Sequence, residues 1–419
     1  MASDIGFYRS FWQNVPLEAV MEVIIDYRGK SPRKTSYGVP LITAKIVKDG
    51  RILRPEEFIA HEDYDEWMRR GMPLPGDVVI TTEAPLGEVA QLDHRKVALA
   101  QRIIALRGKD GVLDNTFLKF LLRSEAVQAS LKSRSTGTTV AGIRQSELRQ
   151  VPLLVPPFEE QRAIAHILGT LDDKIELNRK RNETLEAMAG ALFQSWFVEF
   201  DPVRAKAEGR DPGLPADIAA LFPDSFEPSE LGEIPTSWSV KSIGHLVEFA
   251  YGKALKEADR KPGNVAVYGS NGQIGLHNEA LVEGPGIIVG RKGNPGIVTW
   301  APANFFAIDT TFYVVPKTEC RSLYFLFYAL KEHDLASLGA DSAVPGLNRN
   351  MAYLSKQLVP PSPLLAAFDH QIRPLFDRIQ KGKMESSSLA QIRDTLLPKL
   401  ISGELRLKHT EQMMEEAKG

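Results

Sequence analysis

The residues of this sequence whose types and spacing best suit binding chemistry are cations in one stretch, residues 28–54. The stretch holds eight cations and a single acid, Asp49, which gives it a net charge of +7. The cations are Arg28, Lys30, Arg33, Lys34, Lys45, Lys48, Arg51 and Arg54. Lys and Arg at this density favour contact with a polyanion. The alternative, a solvated face without a ligand, stays open for this stretch taken alone.

An acidic stretch with the opposite bias follows later in the chain. Residues 208–233 hold seven acids against Arg210, a net charge of −6. The overall net charge of −2 therefore averages over strong local differences. A basic stretch and an acidic one in the same chain indicate a protein that meets a polyanion with selected surfaces.

Patterns that would indicate catalysis are weak. The sequence contains no G-x-x-x-x-G-K-[ST] phosphate loop and no convincing dinucleotide fingerprint. Asn294-Pro295-Gly296 resembles an amino-methyltransferase motif only superficially, and no histidine stands at ligand spacing with a cysteine or another histidine. We therefore expect no catalytic residue, no metal site and no cofactor bound by this chain.

Length and composition indicate a protein with several domains. The 419 residues are 43% hydrophobic and 25% charged, which is ordinary for a soluble protein. The first residues lack a signal-peptide pattern, and no apolar run approaches the roughly 20 residues of a membrane span. Cys320 is the single cysteine. These features predict a cytoplasmic protein.

The last third of the chain repeats the middle third after 204 residues, in register. Val155-Pro156-Pro157 recurs as Val359-Pro360-Pro361, and His166 recurs as His370. No gap is needed across more than fifty positions, which indicates tandem duplication of a globular domain followed by a long helix. The repeat also weakens a nuclease hypothesis built on the carboxylates Asp77 and Glu88, because the second copy carries no acids thereabouts.

Both copies show the same order of short apolar runs and one helix. In the first copy, Val39–Ile42, Val78–Thr82 and Arg102–Leu106 are predicted strands, and Asn115–Leu122 a helix capped by Asp114 or Asn115. The runs of the second copy are 268–274, 286–290, 297–300 and 306–315, with a helix near 323–330. Two mixed α/β domains follow from this pattern.

The long helical segments carry apolar residues at alternating steps of four and three. This 3.5-residue spacing is typical of a coiled-coil seam. The pairing residues are Leu168, Leu171, Ile175, Asn178, Asn182, Leu185 and Leu192, then Ile372, Leu375, Ile379, Leu389 and Leu396. Asn178 and Asn182 fall at the centre of one helix, and Gly382 and Ser386 at the centre of the other, so antiparallel pairing would bring the polar layers together. The alternative is two ordinary amphipathic helices, each packed on its own domain.

The predicted fold class is α+β. Two mixed α/β domains are expected to be separated by an antiparallel two-helix coiled coil, with a pseudo-twofold from the tandem duplication. The expected segments are a first domain (1–157), a central helix (158–200), an acidic Pro-rich connector (201–233), a second domain (234–361), a C-terminal helix (362–405) and a tail (406–419). A short helix is expected near 215–221 in the connector.

These segments resemble the specificity subunit of type I restriction-modification systems. The resemblance is closest in the helical motifs PFEEQRAIAHILGTLDDKIELNRKRNETLEAMAGALFQSWFVEFDPVRAKAEG and IRDTLLPKLISGEL. The first domain is similar through YRGKSPRKTSYGVPLITAKIVKDGRI and LPGDVVITTEAPLGEVA, and the second through IPTSWSVKSIGHLVEFAYGKALK, VAVYGSNGQIG and GRKGNPG. The resemblance covers residues 14–405.

The resemblance implies a non-catalytic subunit with two target-recognition domains, each reading one half of a split DNA site. It implies docking of two methyltransferase subunits, which bind S-adenosylmethionine, and of two ATP- and Mg²⁺-dependent translocase/endonuclease subunits. The holoenzyme would be an adenine-specific methyltransferase and type I endonuclease. The alternatives are the site-reading subunit of a methylation-only complex, or a coiled-coil scaffold that does not read DNA.

Candidate DNA contacts are cations for phosphates and amide or hydroxyl side chains for base edges. In the first domain they are Lys30, Arg33, Lys34, Lys45, Lys48, Arg134, Ser135, Thr136, Thr138 and Arg144. In the second domain they are Lys253, Tyr268, Ser270, Asn271, Arg291, Lys292, Asn294, Asn348 and Arg349. A plain tight turn remains the alternative for each glycine-rich loop, and a plain surface position for each side chain.

Overall fold

A computed structural model describes residues 12–29, 31–137, 140–338 and 346–405. The chain forms two compact units, one made of Met1–Leu177 with Glu385–Gly419 and the other of Asn178–Met384. Each unit therefore contains one mixed domain and parts of both long helices. No helix among the described residues combines the length and the apolar character needed to cross a membrane.

The first unit is built around a four-stranded antiparallel sheet in the order β2-β10-β7-β8. Smaller sheets join β6-β3-β9, β1-β11 and β4-β5. The strands are β1 Gln13–Pro16, β2 Met21–Asp26, β3 Val39–Ile42, β4 Val47–Lys48, β5 Arg51–Ile52, β6 Phe58–Ile59, β7 Val78–Thr82, β8 Leu86–Gln91, β9 Ala98–Leu99, β10 Ile103–Gly108 and β11 Pro152–Val155. The helices before the long helix are α1 Leu17–Val20, α2 Tyr64–Trp67, α3 Asn115–Arg123, α4 Glu125–Ser133 and α5 Gln145–Arg149.

The second unit repeats this plan with the antiparallel order β15-β21-β18-β19. Its strands are β14 Ser239–Ser242, β15 Val247–Tyr251, β16 Val265–Gly269, β17 Gly272–His277, β18 Gly286–Gly290, β19 Val298–Ala301, β20 Phe305–Ala307, β21 Thr311–Pro316 and β22 Lys356–Val359. Its helices are α9 Ile243–Leu246, α10 Leu323–Glu332 and α11 Arg349–Leu354. Strand β11 pairs with β1 at Val155, and β22 pairs with β14 at Val359, 204 residues later. The internal repeat is confirmed at the level of strand order.

Two predicted strands of the second copy were wrong in extent. The run 268–274 is a hairpin between β16 and β17, because Gly272 turns the chain with φ of +103°. The run 306–315 divides into β20, which pairs parallel with β16, and β21, which pairs with β15 and β18. A one-dimensional apolar pattern does not reveal such a change of sheet.

The helices that open after each sheet begin with matching caps. Asp114 accepts from the Phe117 amide, as predicted, and Ser322 accepts from the Phe325 amide. The caps align α3 with α10 at an offset of 208 residues. Phe117 and Phe325 are therefore equivalent, and both are fully buried.

The long helices are α6, Phe158–Phe197, and α12, Ser362–Ile401, of 40 residues each. At about 1.5 Å per residue each is roughly 60 Å long. In the first unit Ile164 and Leu168 near the start of α6 join a core with Leu400 near the end of α12. In the second unit Trp196 near the end of α6 lies 6.0 Å from Phe368 near the start of α12, between ring centroids. The helices thus pair antiparallel in both units.

The predicted pairing positions bear this out. None of the residues at the heptad positions of either helix is exposed, and Asn178 and Asn182 are buried. In the second unit Gly382 faces Asn182 so closely that an added Cβ would lie 2.7 Å from its Oδ1. The glycine makes room for a polar side chain at the middle of the seam.

The acidic connector is folded rather than loose. It contains α7 Asp201–Ala207, α8 Ala216–Ala219 and the hairpin β12 Phe226–Ser229 with β13 Gly232–Pro235. Val203 and Phe222 are buried in the core of the second unit. The acidic side chains of the connector lie largely at the surface, where they remain solvated. Burial of the apolar side chains therefore explains why the connector is folded.

Candidate DNA interface

A cluster of two arginines around one tyrosine forms at a corner of the second domain. Tyr251 ends β15, Arg291 follows β18, and Arg349 opens α11. The Cζ atoms of Arg291 and Arg349 lie 4.8 Å and 4.9 Å from the centroid of the Tyr251 ring. The ring is 49% exposed, so cation–π contacts hold both guanidinium groups at a surface.

Backbone hydrogen bonds to residues 307–310 assemble this corner. The amides of Arg291 and Lys292 donate to the Thr310 carbonyl at 2.9 Å and 3.1 Å, and the Lys253 amide donates to the Ala307 carbonyl at 3.0 Å. The Leu347 amide donates to the Arg291 carbonyl at 2.9 Å, which brings the segment before Arg349 alongside. Four segments far apart in sequence therefore meet at one place.

The corner is strongly positive. Lys253, Arg291, Lys292 and Arg349 form no ion pair among the described residues, and Lys253 and Lys292 are exposed. Arg291 donates at 3.1 Å to the backbone carbonyl of Asp309. Four cations without a carboxylate partner in the described part of the chain can donate hydrogen bonds to phosphate oxygens, and arginine does so with two parallel donors.

Other predicted residues of the second domain support the loops of this corner. Ser270 Oγ lies 2.6 Å from the Lys292 carbonyl oxygen and 2.7 Å from that of Thr310. Asn294 donates to the side chain of Asn271, and both are exposed. Asn348 caps α11 by accepting from the Met351 amide at 3.2 Å. These side chains have structural partners, and only the asparagine pair also presents polar groups outward.

Tyr268 corrects the prediction. Its side chain is 6% exposed and packs edge-on against Phe305 in a small core, with ring centroids 6.0 Å apart. Burial raises the pKa of its hydroxyl. A side chain enclosed in this way does not reach a base or a phosphate. The last three residues of β16, 267–269, are all buried, so the exposed glycine-rich loop begins only after Tyr268.

The candidate contacts of the first domain that the structure describes lie in the segments 33–34, 45–48 and 134–144. Arg33, Lys45, Lys48 and Arg144 are exposed, but Lys34 pairs with Glu57 at 2.8 Å. Arg134 pairs with Glu147 at 3.3 Å, while Ser135 and Thr136 belong to the same loop, in which Thr136 pairs with Gly142. Lys30 and Thr138 lie outside the described residues.

The corner that corresponds to the arginine–tyrosine cluster has different chemistry in the first domain. The Ile143 amide donates to the Thr82 carbonyl at 3.0 Å, as the Leu347 amide does to Arg291. Thr82 and Glu83 therefore stand where the second domain has Arg291 and Lys292. Glu83 pairs with Arg102 at 2.6 Å. The two domains therefore share this backbone contact but carry different charges at these positions.

Asp77 and Glu88, the carboxylates of the nuclease hypothesis, both have structural partners. Asp77 is 1% exposed and accepts from Arg107 Nε at 2.7 Å and Nη2 at 2.8 Å. This bidentate pair raises the pKa of Arg107, through its hydrogen bonds with Asp77. Glu88 accepts from the Asp49 amide at 3.0 Å and so holds the hairpin of β4 and β5.

Sequence reasoning missed Tyr251 and Tyr37, which are exposed aromatics at the candidate surfaces. Tyr37 is 77% exposed in the loop that also carries Arg33. The signal available for Tyr251 was its place directly before Gly252 and Lys253. Its arginine partners are distant in sequence, so that signal was insufficient.

The chain is similar in sequence to known proteins. The family model of the type I restriction modification DNA specificity domain matches residues 10–187 and 235–381. The type I restriction enzyme MjaIX specificity subunit of Methanocaldococcus jannaschii is 26% identical over 443 aligned positions, covering 97% of this chain and 96% of that protein. The HindI specificity subunit of Haemophilus influenzae is 27% identical over 358 positions, covering 69% and 77%.

The fold is also found among solved structures. The crystal structure of the type I restriction-modification S subunit from M. genitalium superposes with a TM-score of 0.59 at 20% identity, covering 93% of this chain and 96% of that one. At this identity the likeness concerns the arrangement of elements.

Proposed function

The chain belongs to the type I restriction-modification DNA specificity family, and from this premise we propose that it reads a bipartite DNA target with one domain per half-site. The internal repeat supports this reading, since two similar domains in one chain can each engage a separate sequence. The seam of α6 and α12 supports a fixed distance between the two contacts.

The observation that carries the proposal is the cluster of Tyr251, Arg291 and Arg349 with Lys253 and Lys292 beside it. Unpaired cations on a convergent set of loops suit contact with a phosphate backbone. The exposed amides of Asn271 and Asn294 lie in loops of the same corner and have the donors and acceptors that suit adenine edges.

The chain is proposed to act in the cytoplasm without chemistry of its own. Two methyltransferase subunits would bind S-adenosylmethionine, and two translocase subunits would use ATP and Mg²⁺ to cut DNA. Exposed apolar side chains on the long helices, Leu177, Met188, Met384 and Ile392, support docking of a partner there.

The test is to map methylated adenines in host DNA with and without an intact copy of this chain. The expected result is a pair of short sequences at one fixed spacing, methylated only when the chain is present. Methylation without a split motif would contradict the bipartite reading. An absence of DNA binding by chain plus methyltransferase, in filter binding at low salt, would favour a scaffold instead.

A further inference from the structure

A buried ion cluster joins the first domain to both long helices. Asp172 of α6 accepts from Lys119 of α3 at 2.8 Å through Oδ2, and from Arg393 of α12 at 2.7 Å through Oδ1. Arg123 of α3 lies 3.6 Å from Oδ2. The exposed fractions of these four side chains lie between 10% and 17%. One carboxylate thus connects three helices.

The cluster carries more positive than negative charge around Asp172. Burial alone would raise the pKa of Asp172, but Lys119 and Arg393 outweigh it and the pKa is lowered. Burial lowers the pKa of Arg123, and its Nη1 has no hydrogen-bond partner. Asp394, which is largely exposed, is the second carboxylate on Arg393. Three inward-facing cations therefore depend mainly on a single buried anion.

Asp172 is eleven positions, or about 16 Å of helix, from a group of polar attachments at the start of α6. There Gln161 donates to the Val112 carbonyl at 2.9 Å and accepts from the Asp114 amide at 3.0 Å. The preceding residue, a glutamate, accepts from Trp12 Nε1 at 3.0 Å. Apolar contacts between these points are non-directional, whereas charged hydrogen bonds require one geometry. Two directional attachments fix the angle of a domain on a helix, and one leaves a pivot.

The second unit forms the corresponding joint from apolar groups. Phe376 occupies the position of Asp172 after the 204-residue shift, and its ring centroid lies 4.9 Å from those of Trp300 and Tyr324. Phe327, the counterpart of Lys119, lies 5.9 Å away. Leu365, the counterpart of Gln161, is also buried. The charged cluster thus has no counterpart at these positions, although Ser322 of the second domain donates to Asp369 of α12. The repeat by itself does not require the cluster.

We propose that Asp172 is a positioning residue for the first domain, which holds this domain at one angle on α6 and α12 and thereby sets the spacing at which its half-site is read. The inference rests on the proposed bipartite function. Moving a half-site by one base pair shifts it by about 3.4 Å and rotates it by roughly 35°. A domain fixed at two directional points cannot follow this displacement, and a domain free to pivot tolerates it better.

The experiment uses the full chain in complex with its methyltransferase and measures methylation of duplexes that contain both half-sites. The spacers are the preferred one and those one base pair shorter and longer. The variants are Asp172→Asn, Asp172→Glu and, as the matched control, Asp173→Asn, which changes the next residue on α6, an exposed acid. Arg393→Gln removes one donor to Asp172 and is judged by the same ratio if Asp172→Asn does not fold.

The readout is the rate at the preferred spacer divided by the rate at the adjacent spacers. We expect Asp172→Asn to lower this ratio by about tenfold, equivalent to roughly 1.4 kcal/mol, with the half-site sequences unchanged. Asp173→Asn should keep the wild-type ratio, and Asp172→Glu should restore part of it. An equal fall at every spacer, or an unchanged ratio in folded protein, would overturn the role of Asp172. A wild-type complex indifferent to spacing would instead overturn the bipartite function itself.

Discussion

Removal of the two guanidinium groups at the Tyr251 corner provides the sharpest test of DNA contact by the second domain. Each phosphate contact contributes about 0.9 to the slope of log affinity against log salt, which at roughly 0.1 M salt is about 1.2 kcal/mol. If Arg291 and Arg349 each contact one phosphate, the double variant Arg291→Ala/Arg349→Ala should lose about 60-fold in affinity. Its slope should become shallower by about 1.8.

The assay is fluorescence anisotropy of the complex on a labelled target, titrated at several salt concentrations. The matched control is Arg321→Ala, an exposed arginine beyond the opposite end of β21 from the 307–310 segment. It should change neither affinity nor slope. Double and control variants with equal slopes would refute the assignment of this corner to the phosphate backbone.

Substitutions of Tyr251 distinguish the positioning of the two guanidinium groups from their charge. Tyr251→Phe keeps the ring and should bind close to wild type. Tyr251→Ala removes two cation–π contacts of about 0.5–1 kcal/mol each and should weaken binding by up to roughly 30-fold, without a change in charge. A full effect of Tyr251→Phe would instead assign the contact to the hydroxyl group.

Three further predictions concern the helices. Because the pKa of Asp172 is lowered in the folded state, the stability from its cluster is present above the ordinary carboxyl pKa and is lost as pH falls through the folded pKa. Asp172→Asn should therefore lower the free energy of unfolding by about 3 kcal/mol at neutral pH. It should also reduce the pH dependence of unfolding below about pH 4, as measured by circular dichroism. Gly382→Ala should destabilise by about 1–3 kcal/mol in chemical denaturation because its Cβ would meet Asn182, whereas Gly190→Ala, with its nearest neighbour at 3.8 Å, should be neutral or stabilising. Four residues inserted in α6 near Asn182 add about 6 Å of helix and should change the preferred spacer in methylation mapping. A change in the half-site sequences would contradict the proposal that α6 and α12 fix the distance between the two contacts.

Regular features of the fold were predictable because they depend on local spacing. The seam around Asn182 follows from the 3.5-residue period, and the cap at Asp114 from residue type alone. The Tyr251 corner was not predictable, since Arg291 reaches it through a backbone bond to Thr310 and the segment of Arg349 through the bond from Leu347 to Arg291. Nor could adjacent acids at 172 and 173 reveal which one is buried, because that depends on Lys119 and Arg393 from other helices.

The two domains show how the recognised DNA sequence could diverge while the arrangement of strands is kept. The bond from Leu347 to Arg291 matches the bond from Ile143 to Thr82, so the two corners share this backbone contact. On it, one domain presents Arg291 and Lys292, and the other presents Thr82 and Glu83. Since base and phosphate preference depend on such side chains, substitution in these loops can change the sequence that a domain reads while its strand order and caps persist. The joints differ as well, at Asp172 and Phe376, so a domain transplanted from one position to the other would bring a helix face that does not match its new partner.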